Sequence, residues 1–139
     1  MSGQRSLFKD ARGQVYEFET QYSLPYIRIL VHWRQIRIGH AYLVLNDGVA
    51  ILQDIVIHET PITKYQFRLW LLQTFLIRSF RRAGVGAKLL QLAIAEARSV
   101  GATRIQGDMS GDLAKLRRWY YKAGFRVSDD STRISMALE

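Results

Sequence analysis

The stretch RRAGVGAKLL, residues 81–90, places two glycines directly in front of a helical pattern of apolar residues. Because Gly84 and Gly86 have no Cβ, the backbone there is able to approach a bulky group closely and to adopt left-handed angles. The first amides of a helix lack intrahelical acceptors, and the helix dipole favours an anion beside them. With Arg81 and Arg82 in front, the stretch predicts a cradle for phosphate or pyrophosphate. A tight structural turn between a strand and a helix is the alternative.

Two common phosphate-binding motifs do not account for this stretch. A P-loop needs a Gly-Lys pair followed by Ser or Thr, and the stretch has no such string. The dinucleotide-binding fingerprint needs a third glycine and a β-α-β start, and neither is present. The glycine pair alone is therefore a weak signal, and its meaning depends on the elements around it.

The second half of the chain predicts a strand, the glycine loop, and then alternating helices and strands. Residues 67–77 (FRLWLLQTFLI) form an apolar run that suits a buried strand or a helix, and the loop that follows favours a strand. Residues 102–109 predict a short strand, and the last residues predict an antiparallel hairpin that turns at Asp129–Asp130. The first helix carries an apolar face and ends at Gly101; the second starts at an Asp112 cap, carries an apolar face and ends at Gly124. The two faces consist of Val85, Leu89, Leu92, Ala93 and Ala97, and of Leu113, Leu116 and Tyr120.

The first half predicts consecutive strands without helices. Residues 14–22, 26–33, 36–45 and 49–58 are rich in β-branched and aromatic residues, and a turn signal at 46–48 joins the last two. Residues 1–13 are polar, and we expect a loose segment there, followed by a single domain over 14–139.

A second motif follows the glycine loop after one helix and one strand: LRRWYYKAGF, residues 116–125. Here the chain resembles the GNAT superfamily of acyl-CoA-dependent N-acetyltransferases over about residues 67–138. The family's Arg/Gln-x-x-Gly-x-Gly/Ala signature is matched by Arg81, Gly84 and Gly86. Its aromatic-Tyr-x-x-x-Gly-Phe ending is matched by Trp119, Tyr120, Gly124 and Phe125.

The resemblance implies an α/β (α+β) fold with a mixed, mostly antiparallel sheet of about seven strands and helices packed on it. It also implies an N-acetyltransferase that moves an acetyl group from acetyl-CoA to an amine by direct attack, with Tyr120 as the acid for the departing thiolate. The three scattered His and the isolated acids have no recognised metal-ligand spacing, so we expect no metal. The residues expected to bind the cofactor are Phe75, Leu76 and Ile77, along the pantetheine, and Arg81, Arg82, Ala83, Gly84, Val85, Gly86 and Ala87, around the pyrophosphate.

The chain departs from the family pattern in two places. The family has two helices after its first strand, and the first half of this chain leaves no room for both, so we expect them to be reduced or absent. The family often carries a Glu as general base on its fourth strand, where this chain offers only Gln73. Asp54, His58 and Glu59 are candidates for the missing base. The remaining histidines, His32 and His40, fit satisfied positions in the sheet.

Charge and composition leave two further hypotheses open. The net charge of +8 and the aromatic residues suit a nucleic-acid binder that stacks bases on Tyr16, Phe18 and Tyr22, although we rank this hypothesis last. A GNAT-fold regulatory module that binds CoA without chemistry is the second alternative. We expect a cytoplasmic protein that does not enter the membrane, with a small-molecule or protein amine as acceptor and an edge strand able to form a homodimer.

Overall fold

The protein is described by a computed structural model that covers residues 3–57, 84–109 and 113–138. Its centre is an eight-stranded sheet in the order β1-β2-β3-β4-β5-β6-β8-β7, in which every neighbouring pair is antiparallel except β5 and β6. The mixed, mostly antiparallel sheet predicted from the sequence is thus confirmed. The strands are β1 (Gly3–Lys9), β2 (Val15–Ser23), β3 (Tyr26–Trp33), β4 (Ile36–Asn46), β5 (Val49–Ile57), β6 (Arg104–Asp108), β7 (Arg126–Val127) and β8 (Arg133–Ala137).

Strands β2 to β5 form an antiparallel meander in which residues alternate between two faces. Tyr16 and Phe18 of β2 and Ile29 and Val31 of β3 lie on the inner face and are fully or almost fully buried. The hairpin between β4 and β5 turns at Asp47 and Gly48, both with positive φ, as the sequence predicts. No helix occurs within residues 3–57, which agrees with the expected loss of the N-terminal helices.

The prediction that residues 1–13 are loose is wrong for Gly3–Lys9, which pairs with β2 along its whole length. β1 is an edge strand, and its outward residues include Leu7, which is 69% exposed. The sequence of Gly3–Lys9 only weakly indicates a strand, because a strand at the solvent-facing edge of a sheet can consist mostly of polar residues. The turn into β2 is fixed by Asp10, whose carboxylate accepts hydrogen bonds from the amides of Arg12 and Gln14, each at 2.9 Å.

Helix α1 (Val85–Ser99) packs against β3, β4, β5 and β6. Four of the five residues predicted for its apolar face are buried, and Leu92 is only partly buried. Leu90 and Ile94 are buried in addition, so the covered face is broader than the predicted stripe. The helix ends before Gly101, which has a φ of 86° and thus supplies the predicted left-handed stop.

Helix α2 (Leu113–Lys122) carries a narrower apolar face, with Tyr120 buried and Leu113 and Leu116 partly buried. Gly124, with a φ of 100°, follows the helix and turns the chain into β7. β7 and β8 form the predicted closing hairpin, and β8 lies between β6 and β7. Within the described residues, neither helix is long and apolar enough to cross a membrane.

Candidate functional site

The two glycines of the motif, Gly84 and Gly86, lie where α1 begins. Gly84 has a φ of 81°, a left-handed conformation that residues with a Cβ rarely adopt. No side chain in the described part of the chain caps the helix, and its first turn contains no acidic residue. The carbonyl of Gly84 accepts the first bond within the helix, from the amide of Lys88 at 3.1 Å. The amides of Val85, Gly86 and Ala87 therefore have no acceptor inside the helix, and an anion beside them would gain their hydrogen bonds.

Three other elements lie against the two glycines. A Cβ built on Gly86 would lie 3.5 Å from Cζ2 of Trp119 in α2 and 3.7 Å from Cγ1 of Ile57 at the end of β5. A Cβ on Gly84 would lie 3.7 Å from Cζ of Phe8 in β1. The glycine motif is thus enclosed by β1, β5 and α2, so a side chain longer than a methyl group at Gly86 would enter occupied space.

Several predicted residues fall outside the described part of the chain. These are the predicted cofactor contacts Phe75, Leu76, Ile77, Arg81, Arg82 and Ala83, the base candidates His58 and Glu59, the cap Asp112, and Gln73. Of the predicted cofactor-binding set, the structure describes Gly84, Val85, Gly86 and Ala87, and it brings them together at one helix end. The side chain of Val85 is fully buried, so only its backbone is available to a ligand.

The parallel pair β5–β6 stops partway along β5. Its ladder runs from Val49 opposite Arg104 to Leu52 opposite Gly107, whereas β5 continues to Ile57. The strand predicted at residues 67–77, before the glycine motif, lies outside the described residues and stays a prediction.

Tyr120, the predicted acid, lies on the inner side of α2. Its ring packs edge-on against Phe125 at 5.5 Å between centroids and against Trp119 at 4.9 Å, and the residue is only 5% exposed. Burial raises the pKa of Tyr120 to about 12, with a further contribution from the negative charge of Asp54. The phenol therefore stays protonated at neutral pH and has a proton to give. The neighbouring Tyr121 is 73% exposed and points elsewhere.

Asp54 belongs to a polar cluster on the outer face of β4 and β5. Its carboxylate lies 2.8 Å from Nε2 of His40, and the His40 ring stacks on Tyr42 with centroids 4.2 Å apart. Arg37 donates to the Tyr42 hydroxyl at 2.7 Å. Asp54 is the one base candidate that the structure describes. The expectation of a satisfied sheet position holds for His40 but not for His32, whose buried Nδ1 has no hydrogen-bond partner among the described residues.

The aromatic residues proposed to stack nucleic-acid bases are not available for that role. Tyr16 is fully buried and Phe18 is 1% exposed, so both belong to the core between the sheet and α1. Tyr22 is partly buried, and its hydroxyl donates to the Glu96 carboxylate of α1 at 2.5 Å. Among the residues that the structure describes, no three His, Cys, Asp or Glu side chains are grouped so that they could hold a metal ion.

Comparison with known proteins identifies the family that this arrangement resembles. The family model described as the acetyltransferase (GNAT) family matches residues 6–125. No curated protein matches the chain significantly. Similar solved structures include the PaiA N-acetyltransferase of Thermoplasma acidophilum, in complex with coenzyme A, with a TM-score of 0.61 and 16% identity over 83% of this chain. This chain covers 62% of the length of that protein.

Two further structures show the same fold. A GNAT family acetyltransferase of Elizabethkingia anophelis with acetyl-CoA bound has a TM-score of 0.61 and 16% identity over 82% of this chain and 77% of its own. A cAMP-binding acyltransferase of Mycobacterium smegmatis has a TM-score of 0.70 and 10% identity over 99% of this chain and 48% of its own. At these identities the likeness concerns the fold.

Proposed function

The chain belongs to the acetyltransferase (GNAT) family, and on this basis we propose that it transfers an acetyl group from acetyl-CoA to an amine. The observation that carries the proposal is the start of α1, where three amides have no intrahelical acceptor and the neighbouring Gly84 and Gly86 carry no side chain. Two of the similar structures contain coenzyme A or acetyl-CoA, which supports this ligand class.

The residues at this helix end fit a pyrophosphate group. A Cβ on Gly84 would require a strained backbone, and anything beyond a Cβ on Gly86 would contact Trp119 or Ile57. The first turn contains no acid that would repel an anion. In the proposal, the backbone amides of residues 85–87 hold the pyrophosphate, and Arg81 and Arg82 add positive charge. Phe75, Leu76, Ile77 and Ala83 remain predicted contacts to the cofactor.

Tyr120 is the proposed acid. Acetyl-CoA supplies an activated thioester, and its thiol leaves as a thiolate that needs a proton. A free thiol has a pKa near 8.5, so a phenol close to it can deliver that proton. Tyr120 is protonated at neutral pH because burial and the charge of Asp54 raise its pKa to about 12. Its ring packs edge-on against both Trp119 and Phe125.

The acceptor is proposed to be an amine of a small molecule or of a protein. With a net charge of +8, the protein suits acceptors with acidic groups near the amine. A cytoplasmic location and a homodimer formed through an edge strand remain predictions. The alternative function is a regulatory module that binds CoA but transfers nothing, and it differs from the proposal only in the absence of product.

Thermal unfolding with acetyl-CoA tests the cofactor part of the proposal. A ligand at a hundred times its dissociation constant stabilises the folded state by about 2.7 kcal/mol, so acetyl-CoA should raise the melting temperature and ATP, as an anion control, should not. Gly86→Leu should abolish the rise because its side chain would occupy the space beside Trp119 and Ile57. Gly101→Asn is the matched control at the other end of α1, where no atom lies within 4 Å of a built Cβ. No rise for the native protein would refute the cofactor assignment.

A further inference from the structure

One side chain of the edge strand β1 reaches the glycine motif. Of residues 4–9, only Phe8 is partly buried, and the others are exposed. Its Cζ atom lies 3.7 Å from the position of a Cβ built on Gly84. The two residues are far apart in the sequence, so the fold brings the start of the chain against the N-cap of α1.

Two buried rings of β2 support the ring of Phe8. Tyr16 is its partner in the β1–β2 register, with ring centroids 6.1 Å apart, and Phe18 meets it edge-on at 6.4 Å. Tyr16 is fully buried and Phe18 is almost fully buried. The Tyr16 hydroxyl donates to the Asp10 carboxylate at 2.9 Å, which connects this support to the β1–β2 turn. Phe8 therefore lies against Gly84 from a base that is itself held in place.

The conformation of Gly84 decides how the chain enters α1. A glycine backbone has more accessible conformations than that of any other residue, so ordering it costs more conformational entropy. Apart from its chain neighbours, Phe8 supplies the only atom of the described residues within 4 Å of the Cβ position of Gly84. Since Gly84 directly precedes the first turn of α1, its φ and ψ set the direction in which the free amides of residues 85–87 point.

The other glycine of the motif is supported by different elements. Gly86 lies against Trp119 of α2 and Ile57 of β5, and neither residue has an atom within 4 Å of the Cβ position of Gly84. Phe8 thus supports the motif at the position that these two contacts do not reach.

The pairing of β1 with the sheet does not depend on an aromatic residue at position 8. β1 pairs with β2 through the backbone along all seven of its residues. The other side chains of residues 4–9 are exposed and mostly polar, as suits an edge strand. The one large apolar side chain on the inner face of β1 occurs where the strand passes the glycine motif.

We propose that Phe8 is a positioning residue of the cofactor site, and that its ring holds Gly84 in the left-handed conformation that directs the amides of residues 85–87 toward the pyrophosphate. This inference rests on the proposed binding of acetyl-CoA. It makes the edge strand β1 part of the cofactor site, although no residue of β1 belongs to the glycine motif. Cofactor binding and the docking of β1 are then coupled, so that each strengthens the other.

The experiment measures the Kd of CoA by titration calorimetry on the full-length protein. Phe8→Ala should raise Kd about 10-fold, the factor that corresponds to ordering the backbone of one residue on binding. Phe8→Leu keeps part of the apolar contact and should raise Kd by a smaller factor, about 3-fold. It also keeps the test open if Phe8→Ala does not fold.

Two control variants separate positioning from general loosening of the fold. Leu7→Ala removes an exposed apolar side chain next to Phe8 on β1 and should leave Kd unchanged. Tyr22→Phe removes the hydrogen bond to Glu96, twelve residues along α1 from Gly84, so it should destabilise the packing of sheet on helix without changing Kd. If either control raises Kd as much as Phe8→Ala does, or if neither Phe8 variant raises it, the inference is overturned while CoA binding stands.

Hydrogen exchange gives a second readout that a purely structural role of Phe8 would not change. CoA should slow exchange at the β1 amides that bond to β2 in the native protein, and this protection should be absent in Phe8→Ala. Exchange at β1 that is the same with and without bound CoA in the native protein contradicts the coupling. If the native protein does not bind CoA, the proposed function fails and the inference with it.

Discussion

Gly107 lies so close to the backbone of Leu52 that a Cβ on Gly107 would be 2.9 Å from the Leu52 carbonyl oxygen. The two residues form the last pair of the parallel β5–β6 ladder. Since a backbone oxygen in a central sheet has little freedom to move, only glycine allows the two strands to pair at this point before β5 continues alone.

Alanine should therefore have opposite effects at two glycines of the chain. Gly107→Ala should lower the free energy of unfolding by about 1–3 kcal/mol, as expected for an overpacked position. Gly86→Ala should leave it unchanged or raise it by up to about 1 kcal/mol, because its Cβ would make ordinary contacts and alanine favours a helix. Urea unfolding of the two variants measures both values. Equal effects of the two substitutions would show that the close approach at Leu52 is not restrictive.

The turn between β3 and β4 should be open to stabilisation. Arg34 and Gln35 both have positive φ, 50° and 68°, although neither is a glycine. A left-handed conformation costs an L-residue roughly 1–2 kcal/mol, so Gln35→Gly should raise the free energy of unfolding by up to about 1 kcal/mol after its entropic cost. Gln35→Ala keeps the strain and is the control. The Arg34 guanidinium, 4.8 Å from the Trp33 ring centroid, remains in place in both variants.

Most of the sheet was predictable from the sequence because alternation of apolar and polar residues is a local signal. The break between Trp33 and Ile36 was predicted without a recognised turn motif, since the strands on either side show the alternation themselves. β1 was missed because an edge strand buries few side chains. The close pairing of β5 with β6 at Gly107 was not predictable from pattern, since it brings Gly107 against Leu52, a residue far away in the sequence.

The site was predictable to the extent that it consists of motifs. Gly84, Gly86 and Tyr120 were proposed as site residues because their spacing matches a family signature. The His40–Asp54 pair was not identified as a pair, because its members are on separate strands and their proximity follows from the register of β4 and β5. Each residue alone resembles an ordinary sheet position.

Asp10 should make the free energy of unfolding depend on pH in the acidic range. Burial alone would raise the pKa of Asp10, but hydrogen bonds from the Gln14 amide, the Tyr16 hydroxyl and the Arg12 amide, with the charge of Arg12, lower it overall. A carboxyl group whose pKa is lower in the folded state stabilises that state above its unfolded value of about 3.9, and the stabilisation is lost as pH falls through the folded value.

Asp10→Asn should therefore be less stable than the native protein at pH 7, and the difference should narrow below about pH 4. Urea unfolding at pH 7, 5 and 3 measures the two curves. Asp129→Asn is the control, because Asp129 is an exposed acid in the β7–β8 turn, at the opposite edge of the sheet from β1. A constant difference between native protein and Asp10→Asn at all three pH values would contradict this assignment.

The Tyr22–Glu96 contact should be a significant source of stability between sheet and helix. Glu96 is buried on α1 and accepts from the Tyr22 hydroxyl, and burial and this carboxylate raise the pKa of Tyr22 to about 12. Tyr22→Phe should lower the free energy of unfolding by about 1–3 kcal/mol, because within the described residues the buried Glu96 carboxylate then keeps only the long bond from Ser99, at 3.4 Å.

The double variant Tyr22→Phe/Glu96→Gln tests whether the charge is responsible. A neutral amide at position 96 costs less free energy than a carboxylate when it is buried without the Tyr22 hydroxyl as donor. The double variant should therefore lose less free energy of unfolding than the sum of the losses in the two single variants. Additive losses would show that the hydroxyl and the carboxylate do not interact in solution.

The central claim, that this protein transfers acetyl groups, is tested most directly by mass spectrometry with acetyl-CoA labelled in both acetyl carbons. The native protein is incubated with the labelled cofactor and the amine panel, and free thiol is measured in parallel. The account predicts an amide product with both labelled carbons and an equal amount of free CoA, both strongly reduced in Tyr120→Phe. Acetyl-CoA that raises the melting temperature but gives neither labelled amide nor free thiol would contradict the claim and identify a CoA-binding module without chemistry.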